Sequence, residues 1–374
     1  MKMKSYKKIL TAVLILILGS QLLACGAKPA NEVTTSTAAL ATSSAVAEPS
    51  TTDKNKDPVT GEKYPEVINI GVIEGGPESA ILIKENYFSG IGIKVNAVTY
   101  SAGTDINNAV VSGDVDVASF GSSPIALGIA NKINYKAVFV SYIEGGNIEA
   151  LAVKSKLGIK DVAGLKGKTI AAPFGTTSHY ALLNALELKG LSANDVKLLD
   201  MGGQDIVAAW KRGDIDAAYI WSPALDEIVK DGNIVINDGD LAEKGITIPE
   251  IGIARTEFAE KYPTLVSQYV KALIKTYNLV KTNPDQATKD VADWEGIAIE
   301  GAKGQVNDNI WVSGEEQLTD NYLGTASKKG KLAETLKTIA DFHKAQGNIS
   351  KTPDAKVFEE AIDSSFVEQA LRQD

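Results

Sequence analysis

From Val67 onward, short apolar runs alternate with helical patterns. VINIGVI (67–73) and IKVNAVTY (93–100) have strand patterning and flank a helix around Ala80–Asn86. DINNAVVSG follows as a helix ended by Gly113. VDVASF is the next strand, and YKAVFVSYI and IEALAVK are two more. This β-α-β-α order predicts an α/β fold with a mostly parallel sheet and helices on both faces. At Asp161–Val162 the pattern restarts, with a strand over 168–172 and a helix over 178–189. VKLLDM, QDIVAAWKRG, IDAAYIW and PALDEIVKDG then alternate strand and helix. IPEIGIARTEFAEKYP supplies a strand returning to the first unit. The remainder from Thr264 is mainly helical, with apolar spacing in LVSQYVKALIKTYNLVKTNP and LAETLKTIADFHKAQG. Two similar lobes with a cleft between them are expected.

One device occurs twice. VVSGDVDVASFGSSPIA (110–126) and AWKRGDIDAAYIWSPAL (209–225) each run from a helix end through Gly-Asp and an apolar strand to Ser-Pro. Ligands of open parallel sheets sit outside the carboxyl ends of the strands, where these loops fall. Ser123 before Pro124 and Ser222 before Pro223 read as N-cap and first helical residue. In FGTTSHYALL, Gly175, Thr176, Thr177 and Ser178 precede an amphipathic helix. Helix starts carry unpaired N–H groups and partial positive charge, so these loops can hold an anion without Lys or Arg. Ordinary capping is the competing reading of each loop taken alone. Phe120, His179, Tyr180, Tyr219 and Trp221 are available as walls, although alternation places Tyr219 as readily in the core.

Composition narrows the function. The chain has 374 residues, 44% hydrophobic and 23% charged, enough for two cores. A net charge of −9 argues against a nucleic-acid surface, which needs clustered Lys and Arg. Two histidines, His179 and His343, and a single cysteine leave no nucleophile elbow, zinc motif or P-loop, so binding without chemistry or cofactor is expected. His343 reads as a surface residue of its helix.

The first residues resemble a secretory leader: Lys2, Lys4, Lys7 and Lys8 precede ILTAVLILILG, an apolar run too short for an ordinary membrane span. LLAC ends at Cys25 and resembles a bacterial lipobox, which implies acylation of that residue. Residues 27–66, rich in Thr, Ser and Ala, read as a flexible stalk. The expected division is a signal peptide over 1–24, a lipid-anchored linker over 25–66, a first lobe over 67–153 and 251–374, and a second lobe over 154–250.

From Val67 to about Gln369 the chain resembles the taurine-, sulfonate- and nitrate-type solute receptors of ABC importers. The likeness rests on SGDVDVASFGSSPIA, GNIEALAVK, DVAGLKGKTIAAPFGTTSHYALLNAL, AAWKRGDIDAAYIWSPAL and EFAEKYP, in family order. It implies a two-lobed periplasmic-binding-protein clamp (type II), with mixed, mostly parallel sheets and a helical C-terminal part. It further implies an extracytoplasmic, membrane-tethered monomer that captures taurine or a related small sulfonate and delivers it to a membrane permease. The sulfonate would meet Ser122, Ser123, Thr176, Thr177, Ser178 and His179. The ammonium needs a carboxylate, because an unpaired charge in a dry cleft is costly. Glu149 is the first candidate, Asp205 the second and Glu74 the third, with Trp221 against the two-carbon spacer. VIEGGPES and LDMGGQD differ from the corresponding taurine-receptor loops. Longer alkanesulfonates, nitrate, bicarbonate, a thiamine-precursor pyrimidine, or an enzyme on the same clamp are the alternatives.

Overall fold

The computed structural model describes residues 54–146 and 148–372. The expected leader, Cys25 and the stalk up to residue 53 lie outside them. The end of the expected linker is not free chain. The carboxylate of buried Asp57 accepts from the Thr264 N–H (2.9 Å) and hydroxyl (3.2 Å). It thereby supplies an acceptor at the start of a long helix (Pro263–Thr282) whose own N-cap, Tyr262, has none.

Two sheets organise the described chain. One contains β1 (Val67–Ile73), β2 (Lys94–Tyr100), β3 (Val117–Gly121) and β4 (Tyr135–Ile143). The other contains β5 (Glu149–Lys154), β6 (Thr169–Ala172), β7 (Lys197–Asp200), β8 (Ala217–Trp221) and β9 (Gly232–Asn237). The strands β10 (Pro249–Arg255) and β11 (Ile310–Trp311) then return to the first sheet. The orders are β11-β4-β10-β3-β1-β2 and β7-β6-β8-β5-β9. Only β2-β1-β3 and β7-β6-β8 are parallel, each followed by an antiparallel strand, β10 beside β3 and β5 beside β8. The sheets are therefore mixed rather than mostly parallel. Each antiparallel strand enters its sheet directly from the opposite lobe, at the edge where the parallel strands end. For the same reason β5, read from sequence as the last strand of the first lobe, pairs in the second sheet.

Helices cover both sheets, as the apolar spacing requires. α1 (Pro77–Lys84), α2 (Gly103–Ser112) and α3 (Ser122–Ala130) belong to the first lobe, and α4 (Thr177–Glu187), α5 (Gly203–Arg212), α6 (Ala224–Ile228) and α7 (Asp238–Ala242) to the second. The C-terminal segment packs back on the first lobe. Ala137 N–H donates to the Ala361 carbonyl (2.8 Å), and Ser267 donates to Gln369 (2.6 Å). Strands β3, β5 and β10 are buried along nearly their whole length, which explains their continuous apolar runs.

Candidate functional site

Register across the antiparallel pairs builds the site. Glu149, the first residue of β5, pairs with Trp221, the last of β8. Glu250, near the start of β10, pairs with Gly121, the last of β3. The repeated device therefore meets a buried carboxylate in each lobe, in equivalent places. Glu149 and Glu250 are 1% and 4% exposed. Both line one small cavity between the lobes, about 40 Å³, together with Glu74, Gly103, Tyr142, Glu144, Thr176, Thr177 and Trp221. That volume suits a guest of a few heavy atoms.

Three helix starts converge on this cavity. Helices α2, α3 and α4 begin at or beside the lining residues Gly103, Gly121 and Thr177, and none has a side-chain cap. Their N-cap residues explain this. Ala102 and Gly121 have no acceptor to offer, and the Thr176 hydroxyl is turned to the Pro173 carbonyl (2.6 Å). The first N–H groups are left for a guest, with partial positive charge behind them. Ser123 is thus not the N-cap expected; it lies inside α3, whose cap is Gly121. In the second copy, Ser222 donates to Asp226 (2.9 Å), and the cap of the short helix α6 is Pro223.

The same cavity is acidic, with its carboxylates beside the helix starts. Glu74, Glu144, Glu149 and Glu250 line it, and none of the lining residues is basic. Glu78, fully buried on α1, lies beside Glu250 and Tyr142. Burial raises the Glu78 carboxyl to about 7. Burial, and then the charges of Glu78 and Glu149, push Glu250 well above the usual carboxylate range. Glu149 Oε1 accepts from the hydroxyls of Thr177 (3.2 Å) and Ser178. Its Oε2 and Glu250 Oε1 have no protein partner.

Several residues expected at the anion end are otherwise engaged. Ser178 serves Glu149 and is fully buried. Ser122, by contrast, is fully buried with its hydroxyl unpartnered, and it does not line the cavity. Ser123 approaches the Gly175 carbonyl (3.4 Å) and His343 Nε2 (3.0 Å). His179 is stacked on Phe174, with ring centroids 4.2 Å apart, and does not line the cavity. Of the acidic candidates, Glu149 and Glu74 reach the cavity, whereas Asp205 is exposed on the first turn of α5. Trp221 closes one side, its indole N–H donating to the Glu74 carbonyl across the lobes (3.0 Å). Phe120 and Tyr219 are core, and the Tyr219 hydroxyl donates to Asp238 (2.5 Å).

His343 is not the surface residue expected but is fully buried. Its Nε2 donates to the Ser123 carbonyl (3.0 Å), and its Nδ1 accepts from Asn348 (3.0 Å), so the ring is neutral. Burial lowers its pKa from 6.5 to about 4. A proton is therefore taken up by the unfolded chain first, and the stability that neutral His343 contributes above 6.5 is lost as pH falls through about 4. The free-energy gap between wild type and His343→Gln should shrink over that window in urea unfolding. A gap that stays constant would count against this protonation state.

Sequence reasoning missed Glu144, Asp238 and Glu250. Glu250 had a signal: PEIGIA begins β10 as EALAVK begins β5, each an acid opening an apolar run.

Comparison with known proteins places this arrangement. Residues 82–287 match the family model described as NMT1/THI5 like. The taurine-binding periplasmic protein of Escherichia coli is 31% identical over 283 residues, covering 74% of this chain and 85% of that protein. A putative aliphatic sulfonates-binding protein of Bacillus subtilis is 28% identical over 293 residues, covering 77% and 82%. The alkanesulfonate-binding protein SsuA from Xanthomonas axonopodis pv. citri, solved bound to MOPS, shares the fold with a TM-score of 0.65. It is 20% identical, and the match covers 80% of this chain and 98% of that one.

Proposed function

The chain belongs to the NMT1/THI5-like family, and from that premise we propose that it is an extracytoplasmic receptor of an ABC importer for taurine or a closely related small aminosulfonate. One observation carries the ligand class: uncapped helix starts and unpaired carboxylates line the same small cavity between two lobes. A zwitterion answers both features. Its sulfonate takes the free N–H groups of α2, α3 and α4, and its ammonium neutralises the acids headed by Glu149. Trp221 covers the two-carbon spacer. Similarity to named taurine and sulfonate receptors supports the same class. Nitrate or a simple alkanesulfonate would leave the carboxylates unpaired, and an uncompensated buried charge costs several kcal/mol, of the order of 3–5.

Binding without chemistry completes the reading. The cleft hands its ligand to a permease, and acylation of Cys25 holds the receptor at the membrane as a monomer. A thermal-shift panel tests the ligand. At a hundred times its Kd, taurine should add about 2.7 kcal/mol to the folded state, while ethanesulfonate and nitrate at equal concentration add far less. Stabilisation by nitrate or ethanesulfonate without any by taurine would refute the aminosulfonate reading and leave the receptor reading standing.

A further inference from the structure

The acids at the cavity continue into the segments that join the lobes. Glu144 follows β4 on the first crossover, Glu149 ends that crossover, and Asp238 opens the return crossover after β9. One carboxylate oxygen of each lies within 4.8 Å of the others, and all three are buried. The crossovers are tightly joined here. Glu144 N–H donates to the Ile248 carbonyl (2.8 Å), and a Cβ on Gly239 would stand 2.9 Å from Gly146 N. Asp238 Oδ2 and Glu149 Oε2 have no protein partner. Independently of this triad, Glu250 lines the same cavity with its own unpartnered, buried Oε1.

The groups facing the triad are Tyr219 of β8, Thr177 and Ser178 of α4, Tyr142 of β4 and Glu250 of β10. All are acids or neutral hydroxyls. Three carboxylates this close cannot all ionise in a buried site without a cation, for the same reason that paired catalytic carboxylates share a proton. Burial first, and then the neighbouring Glu149, push both Glu144 and Asp238 well above the usual carboxylate range.

We propose that the ligand's ammonium enters this triad in exchange for a proton. With no cation bound, the triad keeps at least one proton, on Glu144 or Asp238; ligand binding releases it to solvent. A carboxylic O–H bond breaks, the proton passes to water or buffer, and a carboxylate–ammonium pair forms, with no covalent change in the ligand. The inference rests on the aminosulfonate reading. It adds two recognition residues, Glu144 and Asp238, and a pH dependence: affinity rises with pH, so an acid environment favours release.

Calorimetry of taurine binding to the soluble receptor, repeated at one pH in buffers of different ionisation enthalpy, counts the protons. We expect a net release of about one proton per ligand near neutral pH, and an affinity that falls about tenfold per pH unit on the acid side. Glu144→Gln and Asp238→Asn should each reduce the proton count. If either variant fails to fold, the wild-type buffer series still decides. Taurine binding with no buffer dependence overturns the exchange and leaves the aminosulfonate reading intact. Absence of taurine binding from about pH 5 to 8, the range spanned by shifted carboxyls, overturns both.

Discussion

Replacing Glu149 by Gln is expected to weaken taurine binding by about two to three and a half orders of magnitude while leaving the ligand-free protein folded. Glu149 is buried, its Oε1 is fixed by Thr177 and Ser178, and its Oε2 has no protein partner. Gln keeps the shape and can still accept from both hydroxyls, so the packing of β5 against α4 survives. What disappears is the negative charge facing the ammonium. Breaking a buried pair from one side costs about 3–5 kcal/mol, or roughly two to three and a half decades in Kd. The ligand-free fold should gain if anything, because one charge leaves a crowded acidic site. Titration calorimetry and a urea melt of the same variant separate the two effects. Unchanged taurine affinity would show that the ammonium is held elsewhere.

The second large effect concerns the contact between lobes. Gly75, in the loop after β1, has φ +82°, and a Cβ there would stand 2.3 Å from the backbone oxygen of Ser222 in the other lobe. Backbone cannot rotate away from such a clash, so Gly75→Ala must part the lobes on this side. Parting them breaks the bond from Trp221 to the Glu74 carbonyl and opens the small cavity to water. We expect taurine affinity to fall by at least about a hundredfold, because the cross-cleft contacts can no longer form around the ligand. The left-handed backbone adds a local cost of about 1–2 kcal/mol to stability, which thermal unfolding will show. Small-angle scattering with and without taurine provides the readout: compaction on taurine addition in wild type, none in the variant. Equal compaction in both would refute the closure argument. Gly121→Ala offers a milder comparison, since the nearest atoms to its Cβ would belong to a side chain, that of Thr177, the first at 2.5 Å.

Much of the fold was legible because it is local. VINIGVI and YKAVFVSYI match β1 and β4 in full, and Gly113 and Gly213 end their helices with positive φ, as free left-handed positions at helix ends should. The helix starts at the cleft were legible for the same reason, although the capping detail was not. A Ser before Pro looks like a cap, yet Gly121 caps α3, and the hydroxyl of Ser123 is directed to Gly175 and His343. His343 shows the general limit. Its helix is amphipathic whichever neighbour covers it, and only the return of the C-terminal segment onto α3 decides that the ring is buried and neutral.

The acidic half of the site marks the boundary most clearly. The sequence by itself determined two α/β units, a repeated strand-loop-helix device at the cleft, and one carboxylate, Glu149, at the point where the chain changes lobe. Periodicity within a strand or helix encodes these, because each depends on residues a few positions apart. The tertiary structure alone decided that β5 and β10 run antiparallel into the opposite sheets. That direction brings Glu149 opposite Trp221 and Glu250 opposite Gly121, and it gathers Glu144 and Asp238 where the two crossovers meet. No local pattern carries this information. Strand direction and register are set by pairing between segments about seventy to a hundred and thirty residues apart, through hydrogen bonds that any backbone can make and burial that only the closed fold defines.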